Sequence, residues 1–168
     1  MQVLQDGAEF RKVMSRFATG VTVVTGKFGD EMHGMTCNAF CSVSIAPPTV
    51  LVSLVNDTRT ARLIDRARAF AVNILSESQS HYSDRFAGRH KDKEADRFEG
   101  FEWTTAATGA PIFKETQAYL DCKLINAFDG GDHTFYVGEV VAAHIDESRS
   151  PLLFFQSRYM ALADLKPV

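Results

Sequence analysis

The chain has 168 residues, 45% of them hydrophobic and 23% charged, with a formal net charge of −3. That is the size of one ordinary globular domain, spanning residues 1–168, with core enough to fold without disulfides or metal. The mild acidic excess speaks against a nucleic-acid surface, which needs clustered Lys and Arg, and no apolar run approaches the ~20 residues of a membrane-spanning helix.

In chain order, Asp6 to Phe17 places Phe10, Val13, Met14 and Phe17 at helical spacing, with Asp6 as N-cap. The segment Met1–Arg16 mixes these with Glu9, Arg11 and Lys12 and shows no apolar signal stretch, which points to the cytoplasm. Thr19-Gly20 breaks the helical pattern, and Val21 to Phe28 is Val- and Thr-rich, hence a strand. A turn at Gly29-Asp30-Glu31 then makes a hairpin. Met35 to Ile45 gives the clearest two-residue period: Met35, Cys37, Ala39, Cys41, Val43 and Ile45 predict one buried face, with Thr36, Asn38, Ser42 and Ser44 opposite. Pro47-Pro48 ends that strand, and Thr49 to Val55 reads as a strand buried on both faces.

Asn56-Asp57-Thr58 predicts a turn and helix cap, followed by a helix whose apolar stripe is Leu63, Ile64 and Ala67. Phe70 to Leu75 is a strand, Ser78 to Phe86 a short helix closed by Gly88, and Arg89 to Gly100 a charged, solvated loop. Gln117 to Phe128 alternates with Ala118, Leu120, Cys122, Leu124 and Phe128 on one side. After a Gly130-Gly131-Asp132 turn, Thr134 to Ile145 is a long strand with Phe135, Val137, Val141, Ala143 and Ile145 on one face, and Pro151 to Phe155 a last short strand. Six or seven strands with two or three short helices, and no βαβ rhythm, predict a mainly β chain: one antiparallel barrel with helices at its ends.

Catalytic and metal motifs are few. Cys37, Cys41 and Cys122 are too few and odd for a disulfide framework. On an extended strand, Cys37 and Cys41 stand roughly 13 Å apart, beyond the about 7 Å a disulfide spans. Small thiols in a reducing cytosol fit better. Gly20 to Lys27 fails the P-loop spacing, and no dinucleotide-binding glycine motif, nucleophile turn or zinc spacing occurs. His33, Cys37 and Cys41, four apart on a strand, diverge and make no metal site. The polar face at Thr36 and Asn38 suits either solvent or a ligand. Thr58 and Thr60 at a helix start suit either capping or a phosphate. His133 beside a tight turn suits either surface decoration or catalysis.

Taken together these clusters resemble the short-chain flavin reductase family. Phe17-Ala18-Thr19-Gly20-Val21-Thr22-Val23-Val24-Thr25 is similar to its opening strand. His33-Gly34-Met35-Thr36-Cys37-Asn38-Ala39-Phe40 resembles its Gly-(Phe/Met)-Thr-x-(Asn/Ser)-(Ser/Ala)-Phe flavin strand. Ser42-Val43-Ser44 through Pro47-Pro48 and Val50-Leu51-Val52-Ser53-Leu54, then Phe70 to Leu75, Arg85-Phe86-Ala87, Gly131-Asp132-His133-Thr134 and Pro151 to Tyr159 complete the match in order and spacing.

The resemblance implies a split β-barrel of Greek-key-like antiparallel strands with a few short peripheral helices, acting as a homodimer. It implies an NAD(P)H-dependent enzyme that reduces free FMN or FAD, using NADH or NADPH, and supplies reduced flavin by diffusion to a partner monooxygenase acting on an aromatic or other organic substrate. By the same resemblance, Met35, Thr36, Cys37, Asn38 and Ala39 line the flavin ring and ribityl chain. Ser53, Leu54, Val55 and Asn56, with Thr58 and Thr60, hold the ribityl chain and phosphate, helped by Arg85 and Phe86. His133 lies by the nicotinamide, with Arg158 and Tyr159 bordering that pocket, and no metal is expected. The readings left beside it are a non-reductase flavin-binding protein or a heme-binding protein on the same barrel.

Overall fold

The computed structural model describes residues 6–88 and 96–164. Helix α1 (Gly7–Met14) starts at Asp6, whose carboxylate accepts the Ala8 and Glu9 amides at 2.8 and 2.9 Å. It stops one turn short of Phe17 and buries none of its residues. The strands that follow are β1 (Thr19–Gly20), β2 (Thr22–Phe28), β3 (Glu31–Cys37), β4 (Phe40–Ile45) and β5 (Pro48–Val55). Helix α2 (Arg59–Ala67), capped by Thr58, leads into β6 (Ala69–Ile74). Helix α3 (Ser80–Phe86) precedes β7 (Trp103–Thr105) and β8 (Pro111–Phe113). The long hairpin β9 (Ala118–Asp129) and β10 (His133–Ile145) comes next, then β11 (Leu153–Phe155) and β12 (Arg158–Met160).

One antiparallel seven-stranded sheet, in the order β3-β2-β6-β9-β10-β5-β4, carries the fold. Laid flat, its first and last strands would stand about 29 Å apart at the usual inter-strand spacing. Yet β3 and β4 are consecutive in the chain and joined by Asn38 and Ala39 alone, a link that reaches at most about 11 Å from Cys37 to Phe40. The sheet is therefore forced to curl until its edges meet, and the Ser53 amide donates to the Ala39 carbonyl (2.9 Å) where they do. β3 and β4 are not paired with each other, so the barrel is split at this point.

The interior is filled by alternate residues of the strands, including Val24, Val50, Val52, Leu54, Phe70, Val72 and Cys122, with α2 closing one side through Ala61 and Ile64. A second, aromatic core of Phe86, Phe98 and Phe113, partnered by Phe101, Tyr82 and Trp103, packs α3 and the segment from Phe98 to Phe113 over the end of the barrel. Small satellite sheets, β1-β11-β12 and β7-β8, attach to it.

Four expectations are corrected. The strand read from Met35 to Ile45 is two strands, broken at Asn38-Ala39, and only Cys37 of the six residues on its expected inner face is buried. Cys41, Val43 and Ile45 belong to an edge strand with a single neighbour and are exposed among the described residues. β5 is buried on one face and not on both, with Leu51 and Ser53 half-buried and Val55 exposed, and on its partner β10 Tyr136 and Gly138 are buried whereas Phe135, Val141, Ala143 and Ile145 are exposed. Tyr136 turns inward to place its hydroxyl 3.3 Å from Asp65 of α2. Thr19-Gly20 is not merely a break but a short strand paired with β11. Of the charged loop from Arg89 to Gly100, residues 89–95 lie outside the described residues; Phe98 is buried, and Arg97 donates to the Gly34 and Phe86 carbonyls.

Gly138 shows how tightly the interior is packed. A Cβ there would lie 2.6 Å from Phe70 Cζ and 2.9 Å from Cys122 Cβ. Gly138→Ala should therefore destabilise the protein by about 1–3 kcal/mol through overpacking, seen as a lower urea midpoint; an unchanged midpoint would contradict this packing.

Candidate functional site

The break at Asn38-Ala39 opens two clefts. The larger, of about 400 Å³, has Ala39, Phe40, Leu51 and Ser53 along its sheet side and Met14 and Phe17 as an apolar wall, with Asn38, Thr19 and Cys41 at its rim. The smaller, of about 140 Å³, is lined by Thr36, Asn38, Ser83, Phe154 and Tyr159, with Val21 and Ala87. Asn38 belongs to both, and its amide donates to the Thr19 hydroxyl at 3.4 Å.

Three hydroxyls, those of Thr36, Ser83 and Tyr159, meet at the smaller cleft. Thr36 Oγ1 donates to the Ser83 carbonyl at 2.6 Å, and the Tyr159 hydroxyl bonds Ser83 Oγ and Asp84 Oδ1, each at 2.9 Å. These bonds seat β12 and β3 on α3. The predicted nicotinamide-side residue Tyr159 and the predicted flavin-side residues Thr36 and Asn38 are thus brought together. Arg158 is exposed next to them on β12 and lines neither cleft.

The register of β5 and β10 extends the larger cleft along the sheet's outer face. Leu51, Ser53 and Val55 alternate outward, and they pair with Val137, Phe135 and His133 respectively. Directly paired residues project from the same face. His133 therefore stands two residues along β5 from Ser53, about 7 Å further on. Its Nδ1 lies 2.6 Å from Asp132 Oδ1. A carboxylate only accepts, so Nδ1 carries the proton in this pair and Nε2 is the free ring nitrogen. The same bond holds the Asp132 carboxyl below its ordinary range.

Other predicted residues are placed elsewhere. Leu54 and Phe86 are fully buried core. Thr58 caps α2, accepting from the Ala61 amide at 3.2 Å and lying 3.7 Å from Met35 Sδ. Thr60 is buried, with its hydroxyl 2.8 Å from His33 Nδ1. Arg85 donates to the Asp96 and Arg97 carbonyls at 2.6 and 3.4 Å. Asn56 bonds the turn that carries His133. Cys37 is buried, its thiol 3.5 Å from the Ala39 and Ser53 carbonyls and pushed up to about 11 by burial; Cys41 is the exposed thiol at the cleft. The sequence reading missed Met14, Phe17, Ser83 and Phe154 as lining residues. Met14 and Ser83 signalled only through helical stripes, which core residues share, and Phe17 and Phe154 only through lying in segments that resemble the family.

A planar ring system with apolar faces and a polar edge fits this arrangement. The larger cleft is of ligand size, apolar on its walls, and edged by neutral Asn, Thr and Ser groups with no buried charge to oppose it. Comparison with known proteins agrees. The flavin reductase like domain matches residues 14–163. The reductase subunit HsaB of a flavin-dependent monooxygenase from Rhodococcus jostii is 35% identical, over 97% of this chain and 82% of that protein. A flavin reductase solved in its native state superposes with a TM-score of 0.86 at 39% identity, covering 94% of this chain and 99% of that one. The NADH:FAD oxidoreductase of Streptomyces globisporus, solved with NAD and FAD fragments, gives 0.86 at 34% identity over 95% and 96% of the two chains. The chain belongs to the flavin reductase family, and its fold is the split barrel of those structures.

His33 yields a pH test. Burial, then the Arg97, Arg59 and Arg62 charges, lower its pKa from 6.5 to about 4, with Asp96 opposing them. The unfolded chain takes up this proton near pH 6.5 and the folded one only near pH 4, so its contribution to stability is full above that window and is lost as pH falls through it. Wild-type protein should lose more stability between pH 7 and 4.5 than His33→Asn does in urea titrations; parallel losses would contradict the burial of a neutral imidazole.

Proposed function

We propose that the chain takes hydride from NADH, reduces FMN or FAD, and releases the reduced flavin to a separate monooxygenase acting on an aromatic or other organic substrate. The observation that carries this is the cleft at Asn38: apolar walls for a flat ring, neutral hydrogen-bonding groups at its edge, and no charged side chain among its lining residues. The cofactors supply the redox chemistry when bound, since nicotinamide donates hydride and isoalloxazine accepts it. The protein's part is to hold two rings in register and to exclude water. Asn38, Thr19 and Ser53 supply orienting polar groups, and Met14, Phe17 and Leu51 supply the apolar contact. His133, on the same outer face, meets the nicotinamide. Neutral groups bind without a strong fixed charge, which suits a product that has to leave.

We also infer a homodimer. Leu51, Val55, Val137, Phe135 and Phe128 form one continuous apolar strip running out from the cleft, with Phe135 38% and Phe128 51% exposed. A second copy lying on this strip buries it and covers the cleft. Relatives named as reductase components of resorcinol and 4-hydroxyphenylacetate hydroxylating systems support the monooxygenase partner. NADH as donor and three free cysteines suit the cytoplasm.

Purified protein should oxidise NADH rapidly only when FMN or FAD is added. No flavin-stimulated oxidation would remove the reductase reading, and a Soret band with no such turnover would favour a heme-binding barrel instead. Phe135→Glu should shift the sedimentation of the protein from dimer to monomer and cut turnover by at least about tenfold with the fold retained; a stable dimer, or a fully active monomer, would contradict the interface.

A further inference from the structure

The turn that presents His133 is fastened by one side chain from outside the hairpin. Asn56 stands just beyond β5. Its backbone N–H donates to the Asp132 carbonyl at 3.1 Å, and its side-chain Nδ2 donates to the Gly131 carbonyl at 2.8 Å. Its Oδ1 accepts from the Thr134 hydroxyl at 2.8 Å. The bond to a carbonyl requires the NH₂ on that side, so the amide orientation is set by its partners. These three bonds touch residues 131, 132 and 134 and thus flank His133 on both sides. Asp132, held through its carbonyl by Asn56, holds the imidazole through its carboxylate.

The hairpin closes the turn with its own bonds, among them the Gly131 amide on Asp129 Oδ1 at 2.8 Å. Gly131 adopts φ +90°, a conformation favoured by glycine, and the hairpin ladder secures the turn through the Gly130 amide on the His133 carbonyl at 2.8 Å. The β5–β10 ladder pairs His133 with Val55, and Asn56 adds to it the bonds that connect residues 131, 132 and 134 to the end of the strand that carries Leu51 and Ser53.

We propose that Asn56 is a positioning residue for the nicotinamide step, acting through the turn at residues 131–134 to fix His133, and not a flavin ligand. This rests on the reading that His133 meets the nicotinamide. A ring-to-ring transfer is sensitive to misplacement, with costs that reach about 100-fold for an ångström. Removing the amide should therefore be felt in hydride transfer and not in flavin binding.

The test is a double-mutant cycle on the full chain: wild type, Asn56→Ala, His133→Ala and the double variant. NADH KM, the hydride-transfer rate by stopped flow, flavin Kd and melting temperature are measured for each. Asn56→Ala should lower kcat/KM for NADH by about tenfold with flavin Kd within about twofold, and should cost nothing further once His133 is already Ala. Equal losses with and without His133, or a loss of flavin affinity, would overturn the proposal. A fully active His133→Ala enzyme would instead remove the nicotinamide reading, and the proposal with it. If Asn56→Ala does not fold, Thr134→Val takes its place in the same cycle. It removes one of the three bonds while keeping a strand-compatible side chain, and should give a smaller loss that again vanishes without His133; a loss that persists without His133 would overturn the proposal.

Discussion

A covalent constraint organises this molecule: the two outermost strands of a seven-stranded sheet are linked by two residues. That link forces the sheet to curl, and it prevents the ladder from continuing through Asn38 and Ala39. The site is a consequence of the curl. Where the edges approach, the Ser53 amide and the Cys37 thiol both turn to the Ala39 carbonyl, and the side chains on either side of the break face two different clefts. Asn38 borders both because it sits on the hinge between them.

A seam of this kind is useful only if the rest of the barrel does not shift. Buried polar groups with full sets of partners provide that rigidity. Asn73, fully buried, donates to the Val23 carbonyl at 3.1 Å and accepts from the Phe113 amide at 2.8 Å, tying β8 across β2 and β6. Asp121, equally buried, accepts from the Thr108 amide at 2.8 Å and from its hydroxyl. Breaking such bonds strands a buried polar group, which costs more than the bond itself contributes. The ligand-facing surfaces have the opposite character: neutral and open to one side. The fold thus separates a fixed frame from a surface that has to take up and release a flat molecule.

Local chemistry in the sequence was legible where one residue type does one thing. Asp6 and Thr58 cap helices as expected, the glycines at 29 and 131 make the turns, β2 and β5 fall where Val-rich runs stand, and β6 falls on the apolar run at Phe70. The break after Cys37 was not legible, because the apolar-polar alternation runs through Asn38 and Ala39 without a fault; only closure of the sheet interrupts the strand. Which face of β10 turns inward was not legible for a related reason. Phe135, Val141 and Ile145 are as apolar as core residues, and sequence does not say whether the cover comes from the same chain or from another. Among the site residues, Thr36, Asn38, Ala39, Ser53 and Tyr159 lie at the clefts, whereas Leu54, next to Ser53, and Thr60, on α2, are buried. A two-residue strand period and a helix cap decide that difference, and neither distinguishes a ligand from a neighbour.

The central claim is that flavin is held at the split between β3 and β4. Amide hydrogen exchange with and without FMN or FAD tests it most directly. The account predicts slowed exchange concentrated at residues 36–41 and 51–54, on the two sides of the seam. Protection confined to other parts of the barrel, with those two stretches unchanged in the presence of bound flavin, would contradict it.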